Sequence, residues 1–340
     1  MTKREILEYL SGARDEELFS EARRVQKAAT GDNVFLRGIV EFSNNCARNC
    51  AYCGLRRDNA SLVRYDMSVR EIINAVRPIY NAGIRTVVLQ SGDNLSYTRK
   101  KVCEIIENIK KRYKNIAVTL SLGERPLDDY KAFKDSGADR YLLRIETTNS
   151  RLYKKLHPGQ SLKRRMDILE DLRKIKYQVG TGNIVGLPNQ STRDLAEDIL
   201  FFKKFQPDMI GLGPFLAQKD ALLKNEPNGA FYPTLRVLSL ARIVTKNAFL
   251  PITTALVTIA AEKQKCIALN SGADVIMPDY TPKKYSKNYK IYDNKSIITL
   301  PKAIDLIKTA RRVLSLERAD SLKVYPNTTS KILPSRPCLS

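Results

Sequence analysis

The run FLRGIVEFSNNCARNCAYCG (35–54) sets a β-branched, aromatic segment directly against a loop carrying three thiols. FLRGIVEF (35–42) reads as a β-strand, and the loop after it spaces its cysteines as Cys46-x3-Cys50-x2-Cys53. Three thiolates in one short loop can wrap three irons of a cubane 4Fe–4S cluster. No fourth cysteine follows at ligand spacing, so one iron would stay open to an external ligand. Zinc is the alternative, but a structural zinc site usually takes four ligands, and the single histidine, His157, lies more than 100 residues downstream. A thiol cluster without a metal is the third reading.

Outward from this stretch the chain repeats strand, loop and helix. Seven further strand-like runs follow, at 84–90, 116–122, 140–145, 177–186, 208–215, 250–256 and 274–278. Amphipathic helical stretches separate them at 68–82, 98–113, 126–136, 161–175, 191–204, 233–246 and 261–270. Gly83, Gly137 and Gly272 close three of these helices just before the next strand, as left-handed C-caps do. Strands alternating with helices give a parallel sheet with right-handed crossovers. Eight such units predict an α/β fold of the TIM-type (β/α)8 barrel class, with the cysteine loop at the end where barrel active sites are built. A doubly wound sheet is the alternative, although no glycine-rich phosphate fingerprint follows the first strand. Residues 1–34 read as an N-terminal helical extension, 35–300 as the barrel, and 301–340 as a C-terminal helix (301–318) followed by a loosely ordered tail.

Composition narrows the class. The 340 residues are 43% hydrophobic, which supports a sizeable core, and no apolar run approaches the ~18 residues of a membrane span. The N-terminus alternates charge with apolar residues and has no signal-peptide h-region, so a cytoplasmic location is expected. The 58 Lys and Arg against 36 Asp and Glu leave a net charge of +22. The basic residues are spread over the chain and no nucleic-acid-binding motif appears, so no nucleic-acid partner is expected. Six cysteines, three of them within eight residues, fit metal binding better than a disulfide framework.

Cys-x3-Cys-x-aromatic-Cys after the first strand of a β/α barrel resembles the radical S-adenosylmethionine (SAM) superfamily. The segments VVLQSGD (87–93), VTLSLGE (118–124), GADRYLLRIET (137–147), GLPNQS (186–191), GLGPF (211–215), TTA (253–255) and GADVIMPDYTP (272–282) are similar, in order, to the HydE family of FeFe-hydrogenase maturases. Methylornithine synthase and biotin synthase are more distant relatives. The resemblance implies one 4Fe–4S cluster on Cys46, Cys50 and Cys53, with SAM on the open iron. One electron then cleaves SAM to a 5′-deoxyadenosyl radical. It implies a small-molecule substrate, an electron donor such as ferredoxin or flavodoxin, and other maturation proteins as partners.

The resemblance also assigns residues. Tyr52 matches the aromatic beside the last cysteine, and Ser91, Gly92 and Asp93 stand where the family places a backbone contact to the SAM ammonium. Glu146 matches a SAM-contacting glutamate, Arg144 a substrate-cavity arginine, Arg165 the arginine on the SAM carboxylate, and Tyr289 a cavity tyrosine. From the residues themselves, period two puts Thr119 and Ser121 on one strand face, turned to the barrel interior. Thr253 and Thr254 on the seventh strand and Met277 at the end of the eighth are similar cavity positions, with Gln90 and Asn183 as further candidates. These hydroxyls can equally serve backbone groups. Gly180, Gly182 and Gly186 are expected to let strand five approach a bound adenosine, and His157 reads as structural.

The chain departs from the family in three places. Residues 292–298, where some HydE proteins hold a second cluster, contain no cysteine, so one cluster is expected. Residues 217–222 replace a His/Pro-containing segment, and Leu256-Val257 stands where Met-Gly is usual. The expected activity is therefore HydE-like, on a cysteine-bound iron carbonyl/cyanide complex, or that of a paralogue acting on an amino-acid-like organic substrate. A non-enzymatic iron–sulfur or nucleic-acid-binding protein is the contrasting class.

Overall fold

The computed structural model describes residues 1–323. Eleven strands lie in it: β1 (Asn33–Leu36), β2 (Gly38–Ser43), β3 (Thr86–Ser91), β4 (Ala117–Ser121), β5 (Arg140–Leu142), β6 (Gln178–Thr181), β7 (Ile184–Val185), β8 (Met209–Ile210), β9 (Gly213–Pro214), β10 (Val275–Ile276) and β11 (Val313–Ser315). All pairings between them are parallel. The main sheet runs β2-β3-β4-β5-β6-β8. Bridges Met209↔Phe249 and Pro251↔Val275 continue it, and β10 pairs with β1, so the ring closes on its own first strand. The first strand breaks at Arg37: β1 pairs toward β10 and β2 toward β3. The result is the expected (β/α)8 barrel.

The barrel helices fall within two residues of the expected bounds, and several carry their own start signal. Ser68 and Glu71 form a capping box at the head of the Val69–Asn81 helix, and Ser191 with Asp194 does the same for Thr192–Phe205. The Val69–Asn81 helix buries Ile72, Ile73, Val76 and Ile79 against the sheet. Gly38 is required beneath it, since a Cβ there would lie 2.7 Å from Ile79. The two N-terminal helices, Lys3–Ser11 and Asp15–Thr30, pack outside on Thr192–Phe205 and Phe231–Thr245. No helix among the described residues is long and apolar enough to cross a membrane.

Three expectations are corrected. The seventh strand is reduced to bridges at Phe249 and Pro251, and Thr253 and Thr254 are not on a strand. Thr253 is the N-cap of a short helix, Thr254–Ile259, its Oγ1 accepting from Leu256 N; threonine satisfies an orphan helix donor there. The C-terminal helix ends at Thr309 rather than 318. Arg311 turns the chain at φ 55°, and Arg312 donates to the Asp32 and Asn33 carbonyls, which draws Val313–Ser315 alongside β1 as β11. Residues 318–321, expected partly as loose tail, are fastened under the barrel. Arg140, fully buried, donates to the carbonyls of Arg318 (2.7 Å) and Ala319 (2.9 Å), and Thr86 Oγ1 donates to Arg318 O. Cys338 and the rest of the tail lie outside the described residues.

Inside the ring the strands alternate. Val40 and Phe42 of β2 join the core under the helices, whereas Arg37, Ile39 and Glu41 face the interior. Register stacks the inward residues in layers, Ile39 beside Val88 and Thr119, and Glu41 beside Gln90 and Ser121. The barrel also requires close backbone approach at Gly182, where a Cβ would lie 1.8 Å from the Gly211 carbonyl. Gly182→Ala should therefore lower unfolding free energy by about 2–4 kcal/mol in denaturant titration. A change within about 0.5 kcal/mol would show that the β6–β8 seam is not packed this tightly.

Candidate active site

The thiol loop is shaped from outside by one guanidinium. Arg64 donates to the carbonyls of Asn44 (2.8 Å), Leu55 (2.9 Å), Arg56 (2.6 Å) and Asn59 (3.2 Å), gathering the two ends of the loop. Gly54 N donates to Ile291 O and Arg57 N to Arg48 O. Cys46 Sγ accepts from the backbone N–H groups of Arg48 and Asp93, both at 3.4 Å, and Gln160 Nε2 reaches Cys50 Sγ at 3.6 Å. Burial pushes all three thiols up, Cys50 to about 11, with the neighbouring cysteines adding to the effect on Cys50 and Cys53. Thiols raised in this way must shed protons to bind iron.

Below the loop lies a cavity of ≈ 310 Å³, in the size range of small-molecule sites. Cys46, Cys53 and Tyr52 line it from the loop, with Ser91, Gly92 and Glu146 beside them. Gln90, Thr119, Ser121 and Arg144 line it from the strands. Thr253, Thr254, Met277 and Tyr289 complete the far wall. Cys50, Asp93 and Arg165 do not line it. Asp93 is paired with Arg48, and its backbone braces the loop by accepting from Ala47 N (2.8 Å). Gly180 and Gly182 are not free to receive an adenosine. A Cβ on Gly180 would meet Leu142 and Met209, and one on Gly182 would meet Gly211 O. Gly186 is packed against Gly229 in the same way. Ile184 of the 177–186 stretch, rather than these glycines, lines the cavity.

Two oppositely charged pairs face the cavity. Arg144 Nη2 lies 3.0 Å from Glu146 Oε2 and donates to Asn183 O at 2.6 Å. Glu146 sits at φ 64°, a conformation rare for a non-glycine residue and often found where function holds the backbone. Tyr52 OH is 3.4 Å from Glu146 Oε1 and 3.1 Å from His157 Nε2. The second pair was not foreseen from the sequence: Lys295 Nζ contacts both carboxylate oxygens of Glu41 beneath the ring of Tyr289, whose hydroxyl accepts from Gln90 at 3.1 Å. Burial pushes Glu41 up to about 7, against the pull of Lys295.

Arg165 is buried behind this lining. It donates to Glu124 (2.9 Å), to Arg144 O (3.0 Å) and to Gln160 Oε1 (2.8 Å). Glu124, also missed, draws Arg48 (3.7 Å) and Arg164 (3.6 Å) to the same carboxylate. Glu124 closes the VTLSLGE segment, so its position after a strand was the available signal.

These residues fit a cluster and SAM on two observations. Gly92 has no room for a side chain: a Cβ would lie 2.2 Å from Asn45 O and 2.8 Å from Cys46 Cβ, so the loop and the end of β3 are matched surfaces. Thr119 Oγ1 and Arg144 Nε are buried without a hydrogen-bond partner among the described residues, and both residues line the cavity. Unpaired buried polar atoms of this kind are costly unless a ligand completes them.

His157 backs Tyr52. It is fully buried, stacks on Tyr153 at 4.2 Å, and is held neutral, its pKa lowered to about 3 by burial with Arg165 adding to the effect. A depressed histidine costs nothing above its unfolded value near 6.5. Below that the unfolded chain takes up a proton the fold refuses, so stability falls until the pH reaches the folded pKa. His157→Gln should remove a loss on the order of 3–5 kcal/mol between those limits, seen as a shallower fall of Tm with acid. Identical acid profiles for the two proteins would contradict a buried neutral imidazole.

The chain has known relatives. The radical SAM superfamily profile matches residues 40–202. The [FeFe] hydrogenase maturase subunit HydE of Thermotoga maritima is 44% identical over 281 residues, covering 83% of this chain and 80% of that protein. Among solved structures, methylornithine synthase (PylB) superposes with a TM-score of 0.81 at 21% identity, over 92% of this chain and 94% of that one. The maturase HydG of Carboxydothermus hydrogenoformans gives 0.81 at 18% identity, over 93% and 76%. At those identities the two structures speak to the fold, and the sequence match to HydE carries the family. The chain belongs to the radical SAM superfamily and, within it, to the HydE family of enzymes.

Proposed function

We propose that this enzyme works in FeFe-hydrogenase maturation, holding one 4Fe–4S cluster on Cys46, Cys50 and Cys53 and acting on a cysteine-bound iron complex carrying carbonyl and cyanide. The 44% identity to the Thermotoga HydE supports the pathway. The observation that carries the reading is that the thiol loop opens into a cavity containing buried polar atoms without partners. Bound there, the cluster and SAM supply one-electron reductive cleavage of the sulfonium, with a protein donor such as ferredoxin or flavodoxin providing the electron.

The chain's own residues bind and orient. Gly92 and the end of β3 hold the loop in place, and Tyr52, backed by His157, walls the cavity between loop and Glu146. Glu146, fixed by Gly182 O and Ile184 N on its backbone, presents a carboxylate to a ribose hydroxyl or an ammonium. Gln160 sits between Cys50 Sγ and Arg165, so a carboxylate arriving at the cluster would take over the Arg165 contact now made by the Gln160 amide. A guanidinium suits that exchange, because its fork donates to two oxygens in one plane. Thr119, Thr253, Thr254, Met277 and Tyr289 would then face substrate rather than SAM.

Anaerobically reconstituted protein should contain about four irons and four sulfides per chain. Cys50→Ala should lose the iron and, with it, formation of 5′-deoxyadenosine from SAM. About eight protein-bound irons, or 5′-deoxyadenosine formed by the Cys50→Ala protein, would contradict the assignment. Arg165→Ala should weaken SAM binding by about 1.5–3 kcal/mol, the range of a charge-assisted hydrogen bond, in equilibrium dialysis of the reconstituted protein. Unchanged affinity would place the SAM carboxylate elsewhere.

A further inference from the structure

The Glu41–Lys295 pair is an unusual thing to find on a cavity wall. Glu41 is 3% exposed, on the inward face of β2, and the Lys295 side chain is 11% exposed. Lys295 comes from a segment tied down on both sides: Ile291 O accepts from Gly54 N, and Ser296 N donates to Thr258 Oγ1 at 3.0 Å. This is the stretch that contains no cysteine where some relatives of the family hold a second cluster, and here it delivers a cation to the cavity. A buried ion pair gains little over a well-packed apolar pair of the same volume, so stability alone gives it weak support. Both members line the cavity, and neither is used by the groups assigned to SAM, which lie three strands round the ring at Glu146 and behind it at Arg165.

We propose that the Glu41–Lys295 pair is the seat of the substrate's amino-acid head group, exchanging its own ion pair for a ligand ammonium on Glu41 and a ligand carboxylate on Lys295. The inference rests on reading the cavity as the substrate chamber. The exchange conserves charge: two ions are neutralised before and two pairs are neutralised after. A ligand with only an ammonium leaves Lys295 buried and unpaired, and one with only a carboxylate does the same to Glu41. The site therefore selects α-amino acids and their S- or C-substituted derivatives over simple amines and acids. The Tyr289 hydroxyl and Gln90 lie beside the pair to complete the head group's hydrogen bonds.

The test uses the reconstituted protein, saturated with SAM and left unreduced so that the SAM site is filled. Isothermal titration compares L-norvaline with butylamine, which lacks its carboxylate, and with pentanoate, which lacks its ammonium. Norvaline should bind at least about tenfold more tightly than either. The double variant E41Q/K295M replaces the charges by neutral groups of similar size and leaves no lone buried ion. It should lose about tenfold or more of the norvaline affinity, and with it the preference over butylamine and pentanoate, while still binding SAM. Equal norvaline binding by both proteins, equal binding of the three ligands, or no saturable norvaline binding to the unmodified protein would overturn the proposal. So would loss of SAM binding in the double variant, since the pair would then support the whole cavity. Failure of the unmodified protein to bind SAM at all would instead strike the functional reading on which the proposal rests.

Discussion

Arg64 holds the site together by collecting carbonyl oxygens from both ends of the 44–59 loop. Carbonyls turned toward one guanidinium leave the other side of the loop free to present its thiols inward. Three thiolates in a small space repel one another, and burial makes each harder to ionise, as the raised thiol pKa values show. A loop that must carry that charge needs rigidity supplied from elsewhere. It gets it from Arg64, from the contact of Gly92 with Asn45 and Cys46, and from the hydrogen bond of Gly54 to the 291–296 segment. The geometry of the cavity follows, because the same segment brings Ile291, Tyr292 and Lys295 to its wall.

The barrel makes its interior by closing one end. Arg140 and Thr86 fix the chain at 318–320 beneath the strands, so the cavity has a floor and opens toward the cluster loop. Arg37 lines this space as well, over the ring of Phe249, with a buried Nε that has no hydrogen-bond partner among the described residues. One inward strand face therefore carries a cation at Arg37 and an anion at Glu41, four residues apart, which is roughly 13 Å along a strand. Charge at both levels of the chamber suits a polar guest and is poor packing without one.

The alternation of strand and helix was legible because helix starts and stops are local. Ser68-x-x-Glu71, Ser191-x-x-Asp194 and the glycine turns announce themselves without reference to the rest of the chain. The thiol loop was legible for the same reason. What depends on a distant partner was not. Thr253 looks like a strand residue in LPITTAL and becomes an N-cap only because the chain leaves the ring after Pro251. Residues 313–315 continue a helical pattern in sequence, but Arg312 finds the Asp32 and Asn33 carbonyls and a strand results. Lys295 lies in a loop with no periodicity, so nothing local marks it as an interior residue. Glu41 and Arg37 did leave a signal: they share parity with Ile39 in the first strand, while Gly38, Val40 and Phe42 take the other face. Reading FLRGIVEF simply as a β-branched strand left that alternation unused.

The central claim is that Cys46, Cys50 and Cys53 hold a cubane with one iron left for SAM. Electron paramagnetic resonance of the reduced, reconstituted protein tests it most directly, with and without SAM. The account predicts a 4Fe–4S¹⁺ signal whose g-values shift when SAM is added, because the ligand joins the open iron. A signal that SAM leaves unchanged, in protein shown by dialysis to bind it, would contradict the claim.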